Sequence, residues 1–439
     1  MIARSFQHQF GSSQNMRVFR APGRVNLIGE HTDYNLGFVL PIALDLACFS
    51  AAADSDDGFL RVYSEEKRQL RGWPIADLAR LAPAHDWTDY VVGVAQELIR
   101  AGYLIQPKRL LVRSSVPEGS GLSSSAALEV SAALALLGGQ DIAPLRLAEL
   151  CQRAETCFVG LPCGIMDQYI SVFGRENAAL KIDCRSLENE VISLPGEVEI
   201  IAVNTMIKHE LSQSAYVERT HECAAAVDAV RRLDPTVSSL RDVTIPLLDQ
   251  ATPLMPDVMA RRARHVVTEN QRVGLFVTAS RRKDLERMGQ LMVESHVSLL
   301  HDYEVSSPEL DFLVDTAVGI DGVLGARMTG GGFGGCTVNL LRRGAGERFR
   351  YEIAQAYKGR FGLMPQMFNC RPSQGAGEVK NVEKIGRVLA PLVPRGLEAP
   401  LLNLTGTGIR LQHTPEECLC HFLCTCTAFS VMQLSSLST

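Results

Sequence analysis

No stretch of this 439-residue sequence is both long and apolar enough to span a bilayer, since its greasiest run, Phe38 to Ala53, is interrupted by Pro41 and Asp45. The first ten residues, Met1 to Phe10, lack the apolar segment of a secretory signal, so a cytoplasmic protein with no membrane partner is expected. Basic residues are in deficit, 44 against 49 acidic, for a formal net charge of -5. They form no stripe of the kind that tracks a phosphate backbone, which argues against nucleic acid as a partner. A disulfide framework is missing too. Of the 12 cysteines, eight stand singly among apolar neighbours, the distribution of reduced, buried thiols. The other four, Cys418, Cys420, Cys424 and Cys426, have a spacing that departs from the usual zinc patterns.

What is present is the balance of a globular enzyme, 46% hydrophobic and 21% charged, in a chain too long for one ordinary core. Residues 17–20, 37–52, 59–63 and 109–113 read as strands. After the last comes a Gly/Ser-rich stretch, then Ala126 to Leu134, a run of strong helix formers stopped by Gly138-Gly139. A second helix is predicted from a cap at Asp141, with Pro144 in its first turn. A third follows Pro162. Strands recur at 178–183 and 200–203; the pattern is mainly helical from about 212 to 318, then strand–loop–strand around Gly330–Gly335. The compositional shift near Pro195 divides the chain into 1–195 and 196–378. Residues 379–439 show little periodicity and are predicted to be disordered or loosely packed.

Three segments carry candidate chemistry. Gly119-Ser120-Gly121-Leu122-Ser123-Ser124-Ser125 lies between a strand and a helix, where glycines admit an anion to the backbone and the first helical N–H groups stand unpaired. Either a phosphate cradle or an ordinary turn and cap fits it. No Gly-Lys-Ser/Thr follows, so it is not a Walker loop. Gly330 to Gly335 satisfies a dinucleotide-binding string, but the strand expected after it is the wrong context. Between Arg24 and Asp33 an arginine, two carboxylates and an imidazole surround a turn, fit for holding polyol hydroxyls or for simple solvation. Asp167 sits beside Met166 and Ile170 in greasy surroundings and Glu155 at the edge of an apolar face; each is either a surface residue or a buried carboxylate that needs a partner or a task.

Taken together, Gly23 to Asn35 resembles the galactokinase signature almost residue for residue. Gly119 to Ala127 and Met328 to Cys336 resemble the second and third motifs of the GHMP kinases, and Pro162 to Gln168 and Ser307 to Phe312 also look like galactokinase. The resemblance runs in order from about Arg17 to Gly377. It implies an α/β, two-lobed GHMP kinase fold, with a mixed α/β N-terminal lobe like ribosomal protein S5 and a ferredoxin-like C-terminal lobe. It also implies ATP-dependent phosphorylation of the anomeric hydroxyl of α-D-galactose by a monomer, with Mg2+.

Carried over by position, the resemblance makes Asp167 the base, or the group orienting the C1 hydroxyl, with Arg24 beside it. Glu30, His31, Thr32, Asp33, Gly164 and Tyr216 would hold the sugar. Gly119, Ser120, Gly121, Leu122, Ser123, Ser124 and Ser125 would cradle the phosphates, with Ser64 near the nucleotide. Ser125 and Glu155 would hold the metal, and the second glycine run would brace the first. Phosphoryl transfer to another acceptor, such as N-acetylgalactosamine or mevalonate, is the nearest rival reading. A non-catalytic sugar sensor is the rival of another class, and the complete Ser123–Ala127 run argues against it.

Overall fold

The computed structural model describes residues 2–208 and 212–380. Beyond Lys380, the tail expected to be loose, with its four clustered cysteines, lies outside the described residues. Two main sheets organise the rest. The first has six strands in the order Gly377–Glu378, Arg17–Asn26, Pro41–Asp54, Lys108–Ser114, Phe59–Ser64 and Gln69–Pro74. All its pairings are antiparallel except that of Phe59–Ser64 with Lys108–Ser114. The central strand Pro41–Asp54 is buried on both faces over most of its length, so it reads as an apolar run instead of an alternating one. Ile2 and Phe6 of an N-terminal helix cover one face of the sheet, and the serine-rich helix Ser124–Leu137 covers the other. That helix is apolar on every side, which suits an element with neighbours all round.

The second sheet has four antiparallel strands in the order Val323–Thr329, Gly334–Arg342, Val198–Lys208 and Gln366–Asn369. Helices Pro308–Val318 and Gly346–Phe361 pack one face through Leu313, Phe349 and Tyr357. The other face joins the first core: one hydrophobic cluster includes Val25 and Leu27 of the first sheet, Ala202 and Val338 of the second, and Met288 and Leu291 of helix Leu285–Ser298. The chain also crosses back. Pro372 pairs with Leu44, Glu378 lies opposite Phe19, and Arg17 holds Glu378 at 2.7 Å.

Two local expectations change. The helix predicted from Asp141 begins at Pro144, with Ala143 at its N-cap. The proline holds the residue before it extended, at φ -62° and ψ 133°, so the helix cannot start earlier. The helical stretch 212–318 divides into Ser212–Arg231, Ile245–Ala251, Asp257–Arg282, Leu285–Ser298 and Pro308–Val318. Pro246, Pro256 and Pro308 mark three of these starts, and Lys283 in the left-handed region ends one helix. Among the described residues no helix is long and apolar enough to cross a membrane.

Candidate active site

Strand Arg17–Asn26 ends on the turn that holds Glu30, His31 and Asp33, and the backbone there is unusual. Gly29 has φ 94° and His31 φ 61°. A side chain on Gly29 would meet the Phe38 carbonyl oxygen at 2.6 Å, so glycine is required. Thr32 stabilises the turn: its hydroxyl donates to the carbonyls of Gly29 at 2.9 Å and Phe38 at 2.6 Å. With that hydroxyl spent on backbone, Thr32 does not line the adjacent cavity. The Thr32 hydroxyl thus shapes the turn.

The cavity has a volume of about 300 Å³ and brings together Arg24, Glu30, His31, Asp33, Glu155, Gly164, Asp167 and Tyr216 with both glycine runs. Asp167, in the first turn of helix Met166–Phe173, is gripped by Arg24 through two parallel bonds, Nε to Oδ1 and Nη2 to Oδ2, each 2.7 Å. Ser123 donates to Oδ2 as well. Burial works against the charge of Arg24, but Asp167 and Glu30 more than offset it and raise its pKa.

Ser123 explains how the phosphate-loop candidate is built. It occupies the N-cap of helix Ser124–Leu137 in a left-handed conformation, φ 58° and ψ 52°. Its hydroxyl turns to Asp167 instead of capping its own helix, which leaves the first helical N–H groups without a side-chain cap. A buried helix start of that kind suits an anion. The second glycine run supports the first, backbone against backbone. A side chain on Gly330 would stand 3.1 Å from the Gly121 carbonyl oxygen, and one on Gly335 3.1 Å from that of Ser120. Within the loop, Gly119 and Gly121 line the cavity; Ser120 and Leu122 are fully buried and, with Ser123, Ser124 and Ser125, do not line it. Nor does Ser64, but Lys67 links it to the loop: its N–H bonds Ser64 Oγ at 3.2 Å and its amine meets Glu118 at 2.5 Å.

Glu155 lies on a single π-helical turn, Ala154–Val159, and the Ser125 hydroxyl is hydrogen-bonded to it. Among the described residues neither Glu155 nor its buried neighbour Glu129 forms an ion pair. Burial, then the charge of Asp167, pushes Glu155 up to about 7. Burial, then Glu155, pushes Glu129 well above the carboxylate range. A hydroxyl and an uncompensated carboxylate make a hard-oxygen donor set that fits magnesium.

Beside Asp33, Gly164 permits a close approach: a Cβ there would fall 1.9 Å from Asp33 Oδ2. Burial, then Asp167, raises Asp33 to about 7. Burial, then His265 and Arg327, holds His31 neutral. Its Nδ1 bonds Tyr34 at 2.9 Å, while the buried Nε2 has no well-directed partner. Tyr216 closes that side, its ring 5.6 Å from His31.

Several buried residues here were not singled out in the sequence. Arg327 donates to Glu30 at 2.7 Å, and Glu30 also accepts from Asn26 at 2.7 Å and from the Gly330 N–H. Glu269, on helix Asp257–Arg282, accepts the Gly29 N–H at 2.9 Å. Burial would raise its pKa, but Arg272 above all holds it down at about 2. The legible signal for Arg327 and Glu129 was a lone charge inside an apolar strand or helix.

Comparisons with known proteins show which family the chain is similar to. The chain matches the galactokinase galactose-binding signature over residues 4–54, the GHMP kinase N-terminal domain over 89–175 and the GHMP kinase C-terminal domain over 276–359. It is 44% identical over 376 residues to a galactokinase of Roseiflexus sp. (strain RS-1), covering 85% of this chain and 95% of that one. With the Homo sapiens galactokinase it shares 42% identity over 369 residues, 81% of this chain and 91% of the other. The crystal structure of Lactococcus lactis galactokinase complexed with galactose superposes with a TM-score of 0.83 at 34% identity, covering 86% of this chain and 99% of that one. A mevalonate kinase at 17% identity and a TM-score of 0.59 shares the fold.

Proposed function

The chain belongs to the galactokinase family of GHMP kinases, and from that premise we infer that it transfers the γ-phosphoryl group of ATP to the anomeric C1 hydroxyl of α-D-galactose. The products are galactose 1-phosphate and ADP. The observation that carries the reading is the setting of Asp167, gripped by Arg24 and touching the serine that opens the phosphate-loop helix.

Each step falls to residues of the cavity. Glu30, His31, Asp33, Gly164 and Tyr216 surround the sugar; Asp33 and His31 Nε2 offer polar contacts to its hydroxyls. Asp167 Oδ2 already accepts from Arg24 and Ser123, whereas Oδ1 accepts from Arg24 Nε alone among the described residues. Oδ1 therefore has room for the C1 hydroxyl, which it orients and whose proton it takes as the C1 oxygen attacks phosphorus. The bond from phosphorus to the β-phosphate oxygen breaks, and ADP leaves. Arg24 stabilises charge on the transferring group from the same side, so positioning and electrostatics dominate the catalysis.

The helix start and the loop Gly119–Ser125 receive the triphosphate, with Ser64 toward the nucleotide. Ser125 and Glu155 would hold magnesium, which would supply positive charge to offset that of the phosphates. A cytoplasmic monomer completes the reading, and the unpaired cysteines of the described residues suit a reducing compartment.

The test is ADP release against a panel of sugars, with the product identified by NMR. Galactose should be the preferred acceptor and the phosphate should sit on C1. Turnover with mevalonate in place of galactose, or phosphate on another carbon, would overturn the assignment.

A further inference from the structure

Behind Glu155 lies an arrangement that the reaction as described does not use. Gln168 and Glu129 are both fully buried, and neither lines the cavity. The Gln168 side-chain nitrogen donates to Glu155 Oε2 at 2.6 Å and to Glu129 Oε2 at 2.9 Å. One amide group thus uses its two hydrogens on two carboxylates. Placed nitrogen-first, the amide donates to both acids and leaves an oxygen of each free to accept. The arrangement persists although Glu129 Oε1 and Gln168 Oε1 are each buried without a partner. Two buried carboxylates joined only by a neutral amide are a poor way to stabilise a core. Arginine or lysine in the amide's place would hold Glu155 equally well, but would cancel the charge a cation needs.

Chain connectivity reinforces the link. Gln168 follows Asp167 on one helix, and Glu129 stands one turn after Ser125 on another. Ser125 and Gln168 both touch Glu155, from two separate helices.

We propose that Gln168 and Glu129 are positioning residues for the divalent cation: the amide, anchored on Glu129, holds the Glu155 carboxylate in the orientation that receives the metal without neutralising it. This rests on the assignment of Glu155 as a metal-holding residue. Partners behind a metal ligand commonly govern affinity by about 10- to 100-fold.

The test titrates Mn2+, followed by EPR, into the full-length protein with ADP and galactose present, alongside steady-state kinetics in Mg2+. Gln168→Leu and Glu129→Leu should raise the apparent Mn2+ Kd about 10-fold or more while the galactose KM moves less than about 2-fold. Glu129→Gln keeps an oxygen acceptor for the amide and should bind Mn2+ within about 2-fold of wild type. It also decides the question if a Leu variant does not fold. An unchanged Mn2+ Kd in the folded Leu variants, or a Glu129→Gln protein as weak as Glu129→Leu, would overturn the proposal. Glu155→Ala is measured in parallel. If it too leaves the Mn2+ Kd unchanged, the metal assignment fails and this inference with it; if it alone weakens binding, only the inference fails.

Discussion

Asp33 is pressed between a glycine and a second carboxylate, and that crowding has a consequence in pH. Burial, then the charge of Asp167, raises its folded pKa to about 7 from 3.8. Between those values the folded protein keeps a proton that the unfolded chain has released, so Asp33 stabilises the fold at acidic pH and loses that contribution as pH rises through 7. Without galactose, the Tm of wild type should fall relative to that of Asp33→Asn between pH 5 and 8; parallel curves would contradict this. Gly164→Ala tests the contact from the other side. The new methyl group, 1.9 Å from Asp33 Oδ2, must displace the carboxylate. We expect kcat/KM for galactose to fall about tenfold or more, a loss of ~1.4 kcal/mol in transition-state binding, with an unchanged circular dichroism spectrum. A variant at wild-type efficiency would remove Asp33 from the sugar site. Arg24, Asp33 and Asp167 were legible because they stand in contiguous motifs. Glu129 and Arg327 show in the sequence only as lone charges inside an apolar helix and strand; what they contact, like the roles of Gln168 and Glu269, depends on residues remote in sequence, which no local pattern records.

At the scale of elements, the phosphate-loop helix was readable from its Ala/Leu run and its Gly138 stop, and it ends there in the left-handed conformation expected of glycine. Its start was harder to interpret. Three serines suggest capping, whereas Ser123 leaves its helix uncapped and serves Asp167. The string of the second glycine run does not itself say what it packs against; the resemblance implied a brace for the first run, and the structure lays the two backbones together. Gly330 combines φ 85° with a Cβ position 3.1 Å from the Gly121 carbonyl oxygen. Gly330→Ala should therefore shift the phosphate loop and raise the ATP KM about tenfold, a cost of ~1–3 kcal/mol, while galactose binding measured without nucleotide changes little. An unaltered ATP KM would mean that the two loops are independent. The failed cap at Asp141 has a simpler cause: the backbone restriction before Pro144 outweighs a favourable side chain three residues earlier.

At the scale of the molecule, the compositional shift near Pro195 falls between strand Asn189–Ser193 of a small three-stranded sheet and strand Val198–Lys208 of the second main sheet, and it conceals how thoroughly the halves merge. We propose lobes of 1–195 and 196–378 by chain path, with residues from Pro372 returning to the first sheet. A hydrophobic cluster shared by both sheets cannot be read from periodicity, since each strand's pattern says that it is buried and not against what. Among the described residues, the cavity draws only on those between 24 and 335. Removing 381–439 should accordingly leave kcat within about twofold, and loss of folding on truncation would show that the tail contributes to the core. The measurement closest to the central claim is single-turnover phosphoryl transfer by Asp167→Ala with galactose and ATP both saturating. A folded variant that binds galactose and turns over at least about 100-fold more slowly is the predicted result; transfer at the wild-type rate would contradict it.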